Sequence, residues 1–479
     1  MGSAALDEEF FPASDRPELL VSINLPQNSA QAETARRTAV LEQVLKADAD
    51  VSYFSSYIGS GAIRFYLPMD VLLSHEHVAQ IVVVTKGLAE RDAVRARLEA
   101  LVQQQFSDLV VRVSPLELGP PVGWPLKYRV MGPDIDVVRA QAMALSGVIG
   151  QSPFTRDVNM TSGEPERTVL VEVNQTEARA AGFSSEDVAT ALATIFSGQT
   201  LTSVRDGKRL VNVVVRGQSN EREDLSTVAN LQIRTADGRA VPLRQIAKVS
   251  YGLADPMVWR RQRQAFITVQ ADVAPGNTAQ GVVNNLAADV AAFSAQLPAG
   301  YQLEVGGAAA ESEKGNASVF AVLPVTMLVM LVLLMIQLKR ISRTVLAFIT
   351  APFGLIGIVL AMLPTGTPMG FVALLGVIAL AGMIIRNAVI LISEVDSNVA
   401  LGMAKDEAIV AATRHRARPI VLTAAAAILG MIPIATQVFW GPMAYAIIGG
   451  LFAATLLTLT VLPCALSLLM QYENKTATA

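Results

Sequence analysis

The sequence predicts an α+β extracytoplasmic region of two ferredoxin-like units, the second interrupted by an α+β insertion, followed by an all-α transmembrane bundle of five helices. Three observations predict it. Residues up to about Asn316 read as a water-soluble region, whereas apolar runs dominate from Val319 onward. Within the first region a strand–helix–strand pattern recurs, two to a unit. Within the second, five runs approach the roughly 20 apolar residues that span a bilayer core.

In the first unit Leu19–Pro26 reads as a strand and Ala30–Lys46 as a helix. Val51–Ile58 and Ala62–Leu67 read as a hairpin across Gly59-Ser60-Gly61, because two β-prone runs flank a glycine-containing turn. His77–Lys86 is a further strand, Glu90–Gln105 a helix and Leu109–Val113 a strand. Gly119-Pro120-Pro121 has the composition of a linker. The second unit opens with Leu126–Met131 (strand), Val137–Ile149 (helix) and Arg156–Met160 (strand). It closes with Ala265–Val273 (strand), Thr278–Leu297 (helix) and Tyr301–Val305 (strand). The insertion lies between, roughly from Val169 to Val258. It holds a helix after Ser184-Ser185, with Glu186 and Asp187 in the first turn where negative charge suits the dipole. Hairpin signals stand at Asp206-Gly207 and Asp237-Gly238.

The spans are Val319–Gln337, Thr344–Pro364, Met369–Ser393, Pro419–Phe439 and Met443–Met470. Pro324, Pro352, Pro433 and Pro463 fall in these runs, where neighbouring helices can satisfy the backbone groups they free. The first connection carries Lys339, Arg340 and Arg343, and the third carries Lys405, Arg414, Arg416 and Arg418. The second (Thr365, Gly366, Thr367) and fourth (Trp440, Gly441, Pro442) are uncharged. The positive-inside rule puts the basic connections in the cytoplasm, so the soluble region lies outside and the C-terminal tail inside. Met1–Glu18 has neither the basic segment nor the apolar core of a signal peptide. A preceding transmembrane helix outside this sequence is therefore expected, making the chain a piece of a longer protein.

Composition removes several function classes. Cys464 is the single cysteine, so no disulfide framework or cysteine-based metal site forms within one chain. The net charge of −3 comes with no basic stripe, which argues against a nucleic-acid partner. There are three histidines and no Cys/His pair, nucleophile elbow or phosphate-binding loop, so no catalytic residue and no cofactor are expected. His75-Glu76-His77 places two imidazoles on one side of a strand, but without a third ligand nearby it reads as a solvated loop. Met69, Met131 and Met160 are scattered as core filler is. No metal site is expected.

One residue points to a machine rather than an anchored domain. Arg386 sits in the run MGFVALLGVIALAGMIIRNAVILIS, with only Asn387 beside it comparably polar. A guanidinium keeps its charge and is costly in lipid, so such residues face bundle interiors and mark ion or proton pathways. On a helix Ala379, Gly382 and Ser393 fall within about 40° of its face, at ~100° per residue. The competing reading is an arginine reaching the headgroups from about two turns inside the cytoplasmic end. Arg416 and Thr423, seven residues apart, share a helix face that Gly430 continues. The plainer readings are a positive-inside charge for Arg416 and a bond to its own backbone for Thr423. In the soluble region Tyr53, Phe54, Tyr57, Phe65 and Tyr66 cluster around the Gly59–Gly61 turn. Aromatics on a glycine hinge suit an adaptable apolar pocket, and alternate aromatics also suit a plain hairpin core.

The chain resembles the resistance-nodulation-division (RND) family of proton-driven efflux transporters, of the hydrophobe/amphiphile type. It resembles their C-terminal half from just after that half's first transmembrane helix. The stretches that carry the resemblance are EEFFPASDRPELLVSINLP, VEVNQTEARAAGFSSEDVATALATIFSGQ, ADGRAVPLRQIAKVSYG, APGNTAQGV, GMIIRNAVILI and RARPIVLTAAAAILGMIPIA. Their order and spacing together are specific. The resemblance implies that residues 1–118 form a first porter subdomain, 119–168 with 259–316 a second, 169–258 a docking-type insertion and 317–479 the transmembrane domain. It implies a proton relay of Arg386, Asn387, Arg416 and Thr423, and substrate contacts at Phe54, Tyr57, Gly59, Gly61 and Phe65. The family usually has lysine at the Arg386 position, paired with two aspartates from the other half. Arginine here can hold a carboxylate bidentately but cannot deprotonate. The implied partners are the N-terminal half of the same transporter, a homotrimer, a periplasmic adaptor protein, an outer-membrane channel, amphiphilic small-molecule substrates and the lipid bilayer. The implied location is the bacterial inner membrane, with a large periplasmic region. Two other readings are an isolated half acting only as a binding or scaffold subunit, and a membrane-anchored extracytoplasmic enzyme.

Overall fold

A computed structural model describes residues 9–478 apart from 10, 13, 68, 121, 163–164, 219–224, 235–237 and 256. Pro121 of the linker and Asp237 of the second hairpin signal lie outside the described residues.

The first ferredoxin-like unit contains β1 (Glu18–Asn24), a helix (Gln31–Ala47), β2 (Val51–Ile58), β3 (Val78–Thr85), a helix (Leu88–Gln105) and β4 (Val110–Pro115). The strands form one antiparallel sheet in the order β2-β3-β1-β4, with Val21 opposite Ile81 on one side and Val113 on the other. β1 is apolar on both faces because both are covered. Leu19, Val21 and Ile23 join Leu41, Leu45, Val94 and Leu98 of the helices in one core. Leu20 faces the other way, onto Ala62, Met69 and Leu116.

That second face corrects the hairpin expected at Ala62–Leu67. The described residues of 59–77 form no strand, and β2 pairs instead with β3, Phe54 opposite Val83. β3 supplies an open edge and an apolar surface, whereas the loop is held by side chains. Gln80 accepts from the Ala62 amide at 2.9 Å, and the Tyr66 hydroxyl accepts from the Glu117 amide at 3.2 Å.

The second unit begins with β5 (Leu126–Gly132), a helix (Ile135–Gly150) whose first turn is capped by Asp134, and β6 (Thr155–Met160). The chain then enters a separate compact unit, Gly163–Met257. Its strands are β7 (Glu166–Val173), β8 (Gln199–Asp206), β9 (Arg209–Val215), β10 (Gln232–Arg234), β11 (Ala240–Pro242) and β12 (Ala247–Ala254). β7 pairs with β12, so the insertion begins before Val169. β8 and β9 form a hairpin across Asp206-Gly207, where Gly207 adopts a φ of 58°. Ser184 and Asp187 cap the helix Ser185–Phe196 reciprocally. Phe183, Val188, Leu231, Ile233 and Leu243 are buried in this unit's own core.

After the insertion come β13 (Arg260–Arg261), β14 (Gln264–Val273), a helix (Ala279–Ala295) and β15 (Gln302–Gly306). β14 lies between β5 and β6, and β15 lies on the far side of β5. Opposite the register shift between Gln270 and Asp272, Asp157 takes a φ of 54°.

Among the described residues five helices are long and apolar enough to cross a membrane: Gly307–Leu338, Ile341–Thr365, Phe371–Ala400, Lys405–Ala435 and Gly441–Glu473. The second span is broken at Pro352 into Ile341–Ile349 and Phe353–Thr365. The helices overrun the apolar stretches, since backbone hydrogen bonding continues into water where the hydropathy signal stops. The third basic connection is corrected accordingly. Lys405, Arg414, Arg416 and Arg418 are helical, and only residues 401–404 join the third and fourth spans. The fifth span packs against the second, third and fourth. A Cβ at Gly357 would collide with the Gly449 carbonyl, and one at Gly449 with the Gly357 carbonyl, so both positions require glycine. The first span leaves nearly all its apolar surface unburied by this chain.

Candidate functional site

The third span sorts its residues by face. Val372, Gly376, Leu380, Ile384, Asn387, Leu391 and Val395 are buried against neighbouring helices. Ala379, Gly382 and Arg386 are exposed on another face. Among the described residues Arg386 makes no ion pair, and a Cβ at Gly382 would find nothing within 4 Å. Arg386 and Asn387 therefore point in different directions, one out of the bundle and one into it.

The fourth span repeats this. Thr423 is exposed and donates to the backbone carbonyls of Pro419 and Ile420, each at 3.0 Å. Gly430 is exposed with open space beside it. Arg416 lies elsewhere. Its Nε and Nη2 donate to Glu394 Oε2 at 3.1 and 2.5 Å, and His415 Nδ1 lies 3.0 Å from Glu394 Oε1. No hydrogen bond among the described residues joins Arg386, Asn387, Arg416 and Thr423 to one another. Glu394 was not singled out in the sequence. Its one signal was position, an acid just past the end of an apolar run and eight residues from Arg386.

Arg343 corrects the reading of the first basic connection as a set of loop charges. Its side chain is 2% exposed, on the helix that opens the second span, and pairs with Asp396 of the third. Glu473 of the last helix lies 3.8 Å from its Nη2 and accepts from Ser342 at 2.6 Å.

In the soluble region the expected aromatic cluster divides. Phe54 packs on the core beneath the helices, whereas Tyr57 and Tyr66 pack around Met69 on the opposite face. Tyr53 and Phe65 are exposed, and the Arg16 guanidinium lies 5.9 Å from the Phe65 ring centre. Gly59 takes a φ of 79°, and Gly61 lies against the backbone of Leu72. Met131 and Met160 lie in the second sheet, apart from Met69. His75 and His77 lie in the loop before β3, half-buried, with stacked rings 5.3 Å apart.

A cavity of about 390 Å³ opens between the two ferredoxin-like units, and charge concentrates there. Arg156 of β6 grips Glu99 of the first unit with Nη1–Oε2 2.8 Å and Nη2–Oε1 3.0 Å. Arg95 bonds the same carboxylate at 2.7 Å. Arg112 of β4 reaches Asp272 of β14 at 3.3 Å and lies over Trp124. Burial pushes the Glu99 carboxyl up, but the hydrogen bonds from Arg156 and Arg95 together outweigh it and hold it below its ordinary value. Burial pushes the Asp157 carboxyl up. Nothing in the sequence marked these residues, because each is an ordinary charge in its own element. Among the described residues no group of three or more His, Cys, Asp or Glu is placed to hold a metal ion.

Residues 1–470 match the AcrB/AcrD/AcrF family. The nickel and cobalt resistance protein CnrA of Cupriavidus metallidurans is 29% identical over 72% of this chain and 33% of its own length. The nickel-cobalt-cadmium resistance protein NccA of Alcaligenes xylosoxydans xylosoxydans is 25% identical over 99% of this chain and 45% of its own. A crystal structure of a heavy metal efflux pump (crystal form II) shares the fold, with a TM-score of 0.78 and 23% identity over 98% of this chain and 49% of that one. The chain thus spans less than half the length of these relatives.

Proposed function

The chain belongs to the AcrB/AcrD/AcrF family, and from that premise we propose that it is the C-terminal half of a proton-driven RND efflux permease. In this reading it starts after the first transmembrane helix of that half. Membership and the five apolar helices make it a multi-pass inner-membrane protein with a large extracytoplasmic region. A transporter family leaves no place for the anchored-enzyme reading.

The observation that carries the proposal is the face of Arg386. A fixed positive charge stands in the apolar part of a span, beside Ala379 and Gly382, with no carboxylate among the described residues paired with it. Small residues allow a helix to approach closely, and a buried guanidinium calls for acidic partners. The N-terminal half would supply both. Protonation of its carboxylates would release Arg386, and that release would drive the cycle. Thr423 and Gly430 form a second exposed strip on the fourth span, suited to the same partner. Asn387 would brace the third span from its buried side, and Arg416 would act through Glu394. The assembled permease would be a homotrimer working with a periplasmic adaptor and an outer-membrane channel.

The proposed cargo is a small hydrophobic or amphiphilic compound. The cavity between the ferredoxin-like units supports this, since Phe11, Pro115 and Leu116 line it together with arginines and carboxylates. Phe54, Tyr57, Gly59, Gly61 and Phe65 are the proposed further contacts. A second reading, export of a divalent metal cation, is favoured by the names of CnrA and NccA.

The test is co-expression with a matching N-terminal half in an efflux-deficient bacterium. Tolerance is scored against amphiphilic dyes and against nickel, cobalt, zinc and cadmium salts. Tolerance to dyes but not metals supports the first cargo, and the reverse supports the second. In either case Arg386→Ala should abolish tolerance at unchanged membrane levels. Full tolerance in that variant refutes the relay. No tolerance with any N-terminal half leaves the scaffold reading in its place.

A further inference from the structure

The segment entering β3 is pinned at each of its residues. The Leu25 amide donates to the His77 carbonyl at 2.9 Å, and the Val78 amide to the His75 carbonyl at 3.1 Å. Between them Thr34 Oγ1, from the helix Gln31–Ala47, donates to the Glu76 carbonyl at 2.7 Å. The backbone beneath His75 and His77 is thus fixed by β1, by the helix and by its own turn. The two rings lie on the same side of it, stacked with centroids 5.3 Å apart and planes 20° apart. Both are half-buried.

A neutral imidazole carries the proton on one ring nitrogen and keeps a lone pair on the other. Among the described residues neither ring has a carboxylate partner, unlike His415, which pairs with Glu394.

We propose that His75 and His77 form a binding site for a divalent transition-metal cation of borderline softness, such as Ni²⁺, Co²⁺, Cu²⁺ or Zn²⁺. Imidazole suits these ions, whereas Mg²⁺ and Ca²⁺ require oxygen ligands. Water completes the coordination shell, so the site is weak and exchangeable rather than a closed structural centre. Binding one ion would require the side chains to turn from the stack so that a nitrogen of each ring lies roughly 2.0–2.1 Å from it, on a backbone that is already fixed. The site lies in one loop of the first unit, apart from the cavity proposed for cargo, and binding there is read on the purified chain without transport.

The chain's three histidines make the test clean. The full chain, purified without a histidine tag in lipid nanodiscs, is titrated with NiCl₂ by calorimetry. Imidazole-¹⁵N spectra are recorded in parallel during a ZnCl₂ titration. One site per chain is expected, with the His75 and His77 resonances shifting and that of His415 unmoved. His75→Ala and His77→Ala should each weaken Ni²⁺ binding by at least about tenfold. MgCl₂ should give no saturable heat. If His77→Ala does not fold, His75→Ala alone decides, because among the described residues the His75 side chain makes no hydrogen bond on which the loop depends. Absence of saturable Ni²⁺ binding, binding unchanged in His75→Ala, or loss of binding in His415→Ala instead would each overturn the proposal.

Discussion

Arg156 and Glu99 join the two ferredoxin-like units through a two-pronged ion pair, at 2.8 and 3.0 Å, across the mouth of the cavity between them. The two units have separate apolar cores, so these charged groups and the Arg112–Asp272 pair are specific fasteners between them. The geometry depends on local backbone. Asp157 adopts a left-handed φ of 54° where β6 bulges against β14, and bulges re-aim the side chains beside them. The pair is partly exposed, at 20% and 25%, so its worth lies between that of surface and buried ion pairs. Arg156→Ala and Glu99→Ala should each cost about 1–2 kcal/mol of inter-unit closure, and the double variant should cost little more than either. Hydrogen exchange read by mass spectrometry checks this. Exchange should accelerate about 5–30-fold in the helix Leu88–Gln105 and in β6, and not in the Gly163–Met257 unit.

The same pair has a definite pH dependence. The Glu99 carboxyl lies below its ordinary value of 4.5, so the folded state favours the ionised form. Its stabilisation is fully present above that ordinary value and is lost as pH falls through the lower folded one. The difference between wild type and Arg156→Ala should therefore be constant near neutrality and shrink below about pH 4. Asp157 has the opposite sign. Burial raises its carboxyl, so its contribution is present below the ordinary value and lost as pH rises through the raised one. Asp157→Asn should then stabilise the unit at pH 7, since asparagine tolerates the left-handed backbone without the charge. A lower melting temperature at neutral pH in that variant would contradict the assignment.

How far the sequence announced these features depended on the range of the interaction. Leu19, Val21 and Ile23 alternate with Leu20 in one short run, and the helices that cover them show their own periodicity. Both ferredoxin-like patterns were therefore legible. Ala62–Leu67 was misread because the partner of β2 is chosen at β3, some twenty residues on, and local turn chemistry at Gly59–Gly61 is silent about that competition. Arg386 stood out because an isolated charge in an apolar run needs no tertiary information. Arg343 did not, since its burial depends on Asp396 and Glu473, each far along the chain. The bond of Arg416 to Glu394 and the division of Phe54 from Tyr57 likewise appear only once helices and faces are assembled.

Arg343 is 2% exposed and is held between Asp396 and Glu473 where the second, third and fifth spans meet. Removing one member of a buried charge cluster leaves the others uncompensated, typically at about 3–5 kcal/mol. Arg343→Ala should therefore lower folded yield in membranes and the melting temperature in detergent. Adding Asp396→Ala to it should recover part of the loss by removing the stranded carboxylate. The contrast with Arg386 is diagnostic. Arg386→Ala should leave the melting temperature of this chain unchanged, because Arg386 makes no ion pair or hydrogen bond among the described residues.

The glycines of the bundle separate contacts made within the chain from those awaiting another one. A Cβ at Gly357 or Gly449 collides with the facing backbone, whereas a Cβ at Gly382 or Gly430 meets nothing within 4 Å. Gly357→Leu should force the second and fifth spans apart and destabilise the isolated chain by about 1–3 kcal/mol or more, the usual cost of overpacking. Gly382→Leu should leave the isolated chain untouched, since its side chain projects into open space. If the Arg386 face receives a helix of an N-terminal half, that same leucine will block the close approach that small residues permit. The measurement is co-purification of the two halves from membranes, with the melting temperature of the chain alone as the folding control. Gly382→Leu should reduce recovery of the N-terminal half severalfold at an unchanged melting temperature, and Gly382→Ala should reduce it less. Equal recovery of the N-terminal half with wild type and with Gly382→Leu would show that this face meets lipid. The charge at Arg386 would then need an explanation other than a missing partner.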